Sequence, residues 1–174
     1  MGEGALRRDS FITIAATWLL TACAAAGCSG GDAGSQGPDF SACDGTPAVV
    51  YHPGLTQTSG GGGFQAAVTA VMAAGQAGSP PDDAPAIGLN DWTVAITDDG
   101  DAPATALTVT ASKPWMPQHG HSALMAPVVT AQDGGIYDVS GIDFFMAGYW
   151  EMTLTLQPPD AAADQVVFSI CVPQ

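Results

Sequence analysis

The sequence predicts an all-β fold, a sandwich of about seven short strands, and three observations carry that prediction. Apolar and polar residues alternate along Trp92–Thr97, Leu107–Ser112 and Trp150–Leu156, the period-two pattern of half-buried strands. Between such runs stand turn-forming clusters, Asp98-Asp99-Gly100-Asp101 and Asp133-Gly134-Gly135. No long segment keeps a convincing helical period, which disfavours an α/β arrangement.

Taken in order, the chain opens with an export signal, expected over residues 1–27. Arg7 and Arg8 form a basic start, and Phe11 to Leu20 is an apolar core too short to span a bilayer. The Arg-Arg-Asp-Ser-Phe run weakly resembles a twin-arginine signal, with its hydrophobic residue one place late. Two lipobox-like sites follow. Leu20-Thr21-Ala22-Cys23 matches the bacterial lipobox closely and Ala25-Ala26-Gly27-Cys28 more loosely. Cysteine parity favours the second, since lipidation of Cys28 leaves Cys43 and Cys171 as an even pair suited to an oxidising compartment. The sequence leaves Cys23 and Cys28 both open as the lipidated residue.

Residues 28–63 read as a flexible linker and N-terminal arm. Ser29 to Gly37 is Gly/Ser-rich, Ala48 to Tyr51 is a short extended run, and Ser59 to Gly63 is a second break. The domain proper is expected over residues 64–174. Its first element is ambiguous. Phe64 to Ala73 alternates as a strand with Phe64, Ala66, Val68, Ala70 and Met72 on one face, yet Phe64, Val68, Val71 and Met72 also fit a helical stripe. Pro80-Pro81-Asp82-Asp83 breaks the chain, and the alternating strands at Trp92 and Leu107 follow. Pro127 to Ala131, Tyr137 to Phe145, the Trp150 run and Val166 to Val172 complete the set.

Hydrophobic residues make up 47% of the chain, enough apolar surface to offset backbone ordering. Net charge is −14, and Lys113 is the only Lys or Arg outside the targeting segment. Such a surface cannot neutralise phosphates and is repelled by anionic lipid heads, so nucleic acid is excluded and membrane contact is expected only through a lipid anchor. The scattered Asp and Glu read as a solvated, self-repelling surface.

An ordered series of short motifs carries a family resemblance. Gly88-Leu89-Asn90-Asp91-Trp92-Thr93-Val94, Asp99-Gly100, Met116-Pro117-Gln118-His119-Gly120-His121, Gly135-Ile136-Tyr137 and Phe145-Met146-Ala147-Gly148-Tyr149-Trp150 occur in this order. The series resembles the YtkA-like domain, a bacterial exported module related in pattern to FixH-like proteins, over roughly Ala66 to Val172. The resemblance implies an immunoglobulin-like β-sandwich and a link to copper handling in the cell envelope. Ala147 departs from the proline expected after Met146.

The residues themselves offer few chemistries. No phosphate loop, dinucleotide fingerprint or nucleophile elbow is present, and a Ser-His-Asp triad can be assembled only by free choice among many serines and aspartates. No catalytic residues are assigned, and the protein is expected not to be an enzyme. The segment Lys113 to Met125 stands out, because Met116, His119, His121 and Met125 place two imidazoles and two thioethers close together. Imidazole suits copper and thioether sulfur selects Cu(I), so these four are candidate copper ligands, with Met146 as a further choice from a neighbouring hairpin. If the segment is extended, His119 and His121 point to one side and Gly120 lets the backbone bend. The simpler alternative is core filling by Met and a structural His-Gly-His turn.

Trp115, beside this segment, is a candidate shield for the metal or else a cap on the sandwich end. His52 is expected in a surface loop. A Cys43–Cys171 disulfide would pin the N-terminal arm to the sandwich, with two separate thiols as the alternative. Two functions remain: an exported lipoprotein that binds copper and passes it to an envelope copper-receiving protein, or a non-catalytic interaction module without metal.

Overall fold

The computed structural model describes residues 37–74 and 84–174. The expected signal segment, the lipobox cysteines Cys23 and Cys28, and the break at residues 80–83 lie outside the described residues.

The described chain is an immunoglobulin-like β-sandwich of two sheets. Its strands are β1 (Val49–Val50), β2 (Leu55–Thr58), β3 (Phe64–Ala73), β4 (Gly88–Asp98), β5 (Thr108–Ala111), β6 (Trp115–Met116), β7 (His121–Ser122), β8 (Val128–Ala131), β9 (Ile136–Phe144), β10 (Gly148–Gln157) and β11 (Asp164–Val172). One sheet runs β1-β11-β10-β6-β7, with β5 also paired to β10, and the other runs β2-β3-β4-β9-β8. All pairs are antiparallel except β1 with β11.

The alternating runs bury the residues that their period selects. Trp92, Val94 and Ile96 of β4 face Trp150, Met152, Leu154 and Leu156 of β10 and Val166, Phe168 and Ile170 of β11 across one core. Trp92 sits edge-on to Phe168 at 5.8 Å between ring centroids. Removing these side chains from water supplies most of the drive for folding, at about 25 cal/mol per Å² of apolar area.

The segment with two readings is a strand, β3, and its ambiguity has a structural cause. The pairing of β3 with β4 shifts register between Val68 and Ala70. An extra residue at a bulge reverses the facing of everything after it. Ala66 and Val68 point inward before the bulge, Val71 and Ala73 after it, and Met72 is left 49% exposed. The helix-like spacing of Val68 and Val71 is therefore the footprint of a bulge. Ala70 and Met72, expected on the inner face, lie out of phase with it.

Residues 49–58, assigned to the N-terminal arm by the sequence, contribute β1 to one sheet and β2 to the other. Cys43 and Cys171 are joined by a disulfide with Cα atoms 5.9 Å apart, which fixes the short 3-10 turn Ser41–Cys43 to the end of β11. The glycine run at residues 60–63 is tied down as well. The Gly60 amide donates to the Gln165 carbonyl at 2.8 Å and the Gly61 amide to the Asp164 carboxylate at 2.9 Å.

Hydrogen bonds from the Ser59 hydroxyl and then the Gly61 amide hold the Asp164 carboxyl below the ordinary aspartate value of 3.8. A depressed folded-state pKa stabilises the fold above the unfolded value, and the contribution is lost as pH falls through the folded value. Thermal unfolding of wild type and Asp164→Asn should therefore differ at neutral pH, begin to converge below about pH 4, and meet only once the pH has fallen through the lowered folded-state value. A difference that persists unchanged in acid would contradict this origin.

Candidate metal centre

The Met/His segment folds as a small hairpin at one end of the first sheet. β6 pairs with β7 so that Met116 faces His121 and Trp115 faces Ser122, and Glu151 of β10 holds Trp115 from the other side. The Met116 carbonyl accepts from the amides of His119, at 3.1 Å, and Gly120, at 2.9 Å, closing the turn over Pro117 and Gln118. Gly120 makes the closure possible, because its φ of +68° is one that glycine adopts without a Cβ penalty.

This turn brings the two imidazoles together. The ring centroids of His119 and His121 are 5.6 Å apart, with His119 exposed and His121 half-buried. For their proximity the sequence offered strand alternation, if the segment is extended, together with a backbone bend at Gly120. The structure attributes it to the turn, since only His121 belongs to a strand.

His121 lies against two aromatic rings, Phe145 at 5.2 Å and Trp150 at 6.3 Å between centroids. Phe145 in turn meets Trp150 nearly edge-on at 5.2 Å, and the Trp150 indole donates to the Met146 carbonyl at 3.0 Å. Within this aromatic corner the Nδ1 atom of His121 is buried and has no hydrogen-bond partner among the described residues. A buried polar atom left unsatisfied costs about 1–3 kcal/mol, and a bound water or ion is a common partner for such an atom.

The thioethers separate. Met116 is fully buried beneath the hairpin, and as the cross-strand partner of His121 its Cβ stands about 5 Å from that of the histidine. Met146 is half-buried against the main core, next to Phe145. Met125 goes elsewhere. It is 75% exposed and lines a hollow with Leu89, Val128 and Asp143 rather than the aromatic corner around His121. The pleat also turns Trp115 to the face opposite Met116, where it is 40% exposed, so Phe145 and Trp150 enclose His121 in its place. His52 is exposed, with Nδ1 3.3 Å from the Pro53 carbonyl oxygen, as a surface loop residue should be.

Among the described residues no group of three or more His, Cys, Asp and Glu could hold a metal. Two imidazoles beside a thioether are a donor set of the kind that suits copper. Phe145 and Trp150 were not singled out as neighbours of the histidines by the sequence. Their signal is the aromatic run Phe145 to Trp150, which carries no mark of contact with the histidines.

Gly148 sets the depth of Met116. A Cβ at Gly148 would stand 2.6 Å from Met116 Cε, and the Gly148 φ of +128° is one that other residues rarely adopt. Gly148→Ala should lower stability by about 1–3 kcal/mol in denaturant unfolding. An unchanged midpoint would mean that the buried thioether moves aside freely.

Residues 79–155 match the YtkA-like family profile. The chain carries a YtkA-like domain. The match takes in β4 to most of β10, including the hairpin and the aromatic corner, while β1, β2, β3 and β11 complete the sandwich from outside it. The chain is also similar to the solved structure of FetP from uropathogenic E. coli strain F11, at 13% identity over 72% of this chain and 98% of that one, with a TM-score of 0.44. No curated protein sequence matches the chain.

Proposed function

We propose that this protein is an exported, non-enzymatic accessory protein of the bacterial cell envelope that binds Cu(I) through His119 and His121 and passes it to an envelope copper-receiving protein. The observation that carries this reading is the unsatisfied Nδ1 of His121, buried beside a second imidazole. Rings 5.6 Å apart allow one nitrogen from each to reach a common ion with bonds of about 2 Å. Met116 is the thioether within cross-strand reach, and its softness favours Cu(I) over Zn. Phe145 and Trp150 keep water and oxidant from the inner side. Exposure of His119 leaves an approach for copper as cargo.

The negative surface draws cations over longer distances, an effect that salt screens. Imidazole ligates only when neutral, so affinity should weaken in acid. The signal-like start and the lipobox cysteines support export and a diacylglyceryl anchor at Cys23 or Cys28, which mass spectrometry of the mature N-terminus would detect. An unmodified N-terminus would remove the anchor from this account.

The test of copper binding is Cu(I) competition against a chelator for the wild type and the His119→Ala/His121→Ala double variant. Tight binding by the wild type, weakened at least about 100-fold in the variant, is expected. Equal weak binding by both would favour a metal-free interaction module, the reading suggested by the complete burial of Met116 as ordinary core.

A further inference from the structure

We propose that the face beside the imidazole pair is a docking surface for a protein partner that presents an apolar ridge flanked by Lys or Arg side chains. The purpose of such docking, copper transfer, rests on the function proposed above; the surface itself stands on exposure and charge.

Five large apolar side chains converge there while exposed to solvent: Leu124 at 84%, Met125 at 75%, Val128 at 67%, Leu89 at 55% and Phe145 at 44%. They come from β4, the loop after β7, β8 and the segment after β9. They line two adjoining hollows of about 270 and 290 Å³ that share Leu124 and Asp143 as common walls. Contiguous exposed apolar side chains rimmed by polar residues are one mark of an interaction site. Phe145 belongs to both places, since its ring walls one hollow and lies against His121. A partner seated in the groove would touch the Phe145 ring that packs against His121. Met125, which the structure separates from the imidazoles, has a role here, because flexible thioethers adapt to the shape of a partner.

Charge selects the occupant. Asp143 stands in the shared wall, and Lys113 is the sole Lys or Arg of the described residues in a chain of net charge −14. A second copy of the chain would bring the same excess of carboxylates to the contact, and an anionic lipid surface would be repelled. A partner with cations at the edges of an apolar ridge meets both features at once.

The experiment places a photo-crosslinking residue at Leu124 of the full exported chain in cells, with copper either supplied or removed by a chelator. The expected result is one crosslinked partner in both conditions, whose captured segment carries apolar residues flanked by Lys or Arg. With the purified pair, Asp143→Lys and, separately, Leu124→Glu should each weaken binding at least tenfold. Leu124 is exposed and Asp143 half-buried, and Asp143→Lys should leave Cu(I) affinity unchanged. Absence of a crosslink, capture of a second copy of this chain or of lipid, a captured segment without cations, or binding indifferent to Asp143→Lys would overturn the proposal. Docking that survives in the His119→Ala/His121→Ala variant, with no Cu(I) bound by the wild type, would overturn the copper reading and leave the docking surface standing.

Discussion

Reduction of the Cys43–Cys171 bond, or its removal in the Cys43→Ala/Cys171→Ala variant, should lower stability by about 2–5 kcal/mol. The bond closes nearly the whole folded part, with a sequence separation of 128 between its partners, and chain entropy alone assigns about 5 kcal/mol to a loop of that length. It holds residues whose other ties are few. β1 offers only two residue pairs to β11, and its Val49 and Val50 remain 37% and 52% exposed. The loss should appear as a shift in denaturant midpoint that is the same for reduced wild type and for the double variant. A shift worth less than about 1 kcal/mol would show that the N-terminal arm is held by its strand contacts rather than by the bond.

Trp150→Ala should cost a similar amount, about 3–5 kcal/mol. The side chain is fully buried, its ring centroid lies 5.5 Å from that of Phe144 and 5.2 Å from that of Phe145, and its indole satisfies the Met146 carbonyl. Its removal also takes away one wall around His121. Trp115→Ala provides the contrast. Trp115 is 40% exposed and faces away from Met116, so its loss should cost under about 1 kcal/mol. Comparable losses for the two variants would contradict the assignment of Trp150, rather than Trp115, as the enclosing aromatic.

The strands that could be read from sequence are those whose inward residues form an unbroken period of two. In β10 and in β4 from Trp92 onward a large apolar residue recurs at every second place, past the register shift between Asn90 and Trp92, and in β5 Val109 stands between Thr108 and Thr110. β3 resisted because a bulge inserts one residue midway, so each half alternates but the halves disagree. β2 was not read because Leu55 is its only buried residue, and a Leu-Thr-Gln-Thr run carries no period. β6 and β7, at two residues each, are too short for any pattern.

The candidate site was legible as composition but not as geometry. Two histidines flanking a glycine sit close under almost any turn, so their pairing could be anticipated. Which methionine stays beside them depends on the path of the chain. Met116 is held by its register with His121, whereas Met125 follows a loop that leads to β8 and the groove. The unsatisfied Nδ1 of His121 has no trace in the sequence, because it depends on Phe145 and Trp150 arriving from a hairpin more than twenty residues away.

The most direct test of the central claim uses the histidines as their own reporters. The chain has three, His52, His119 and His121, and His52 lies in an exposed loop apart from the hairpin. Imidazole nitrogen resonances followed by NMR during anaerobic Cu(I) addition should show His119 and His121 shifting together and completing at one equivalent, with His52 unchanged. Shifts at His52 alone, shifts at one hairpin histidine without the other, or no shift at one equivalent would contradict a copper site built from this pair.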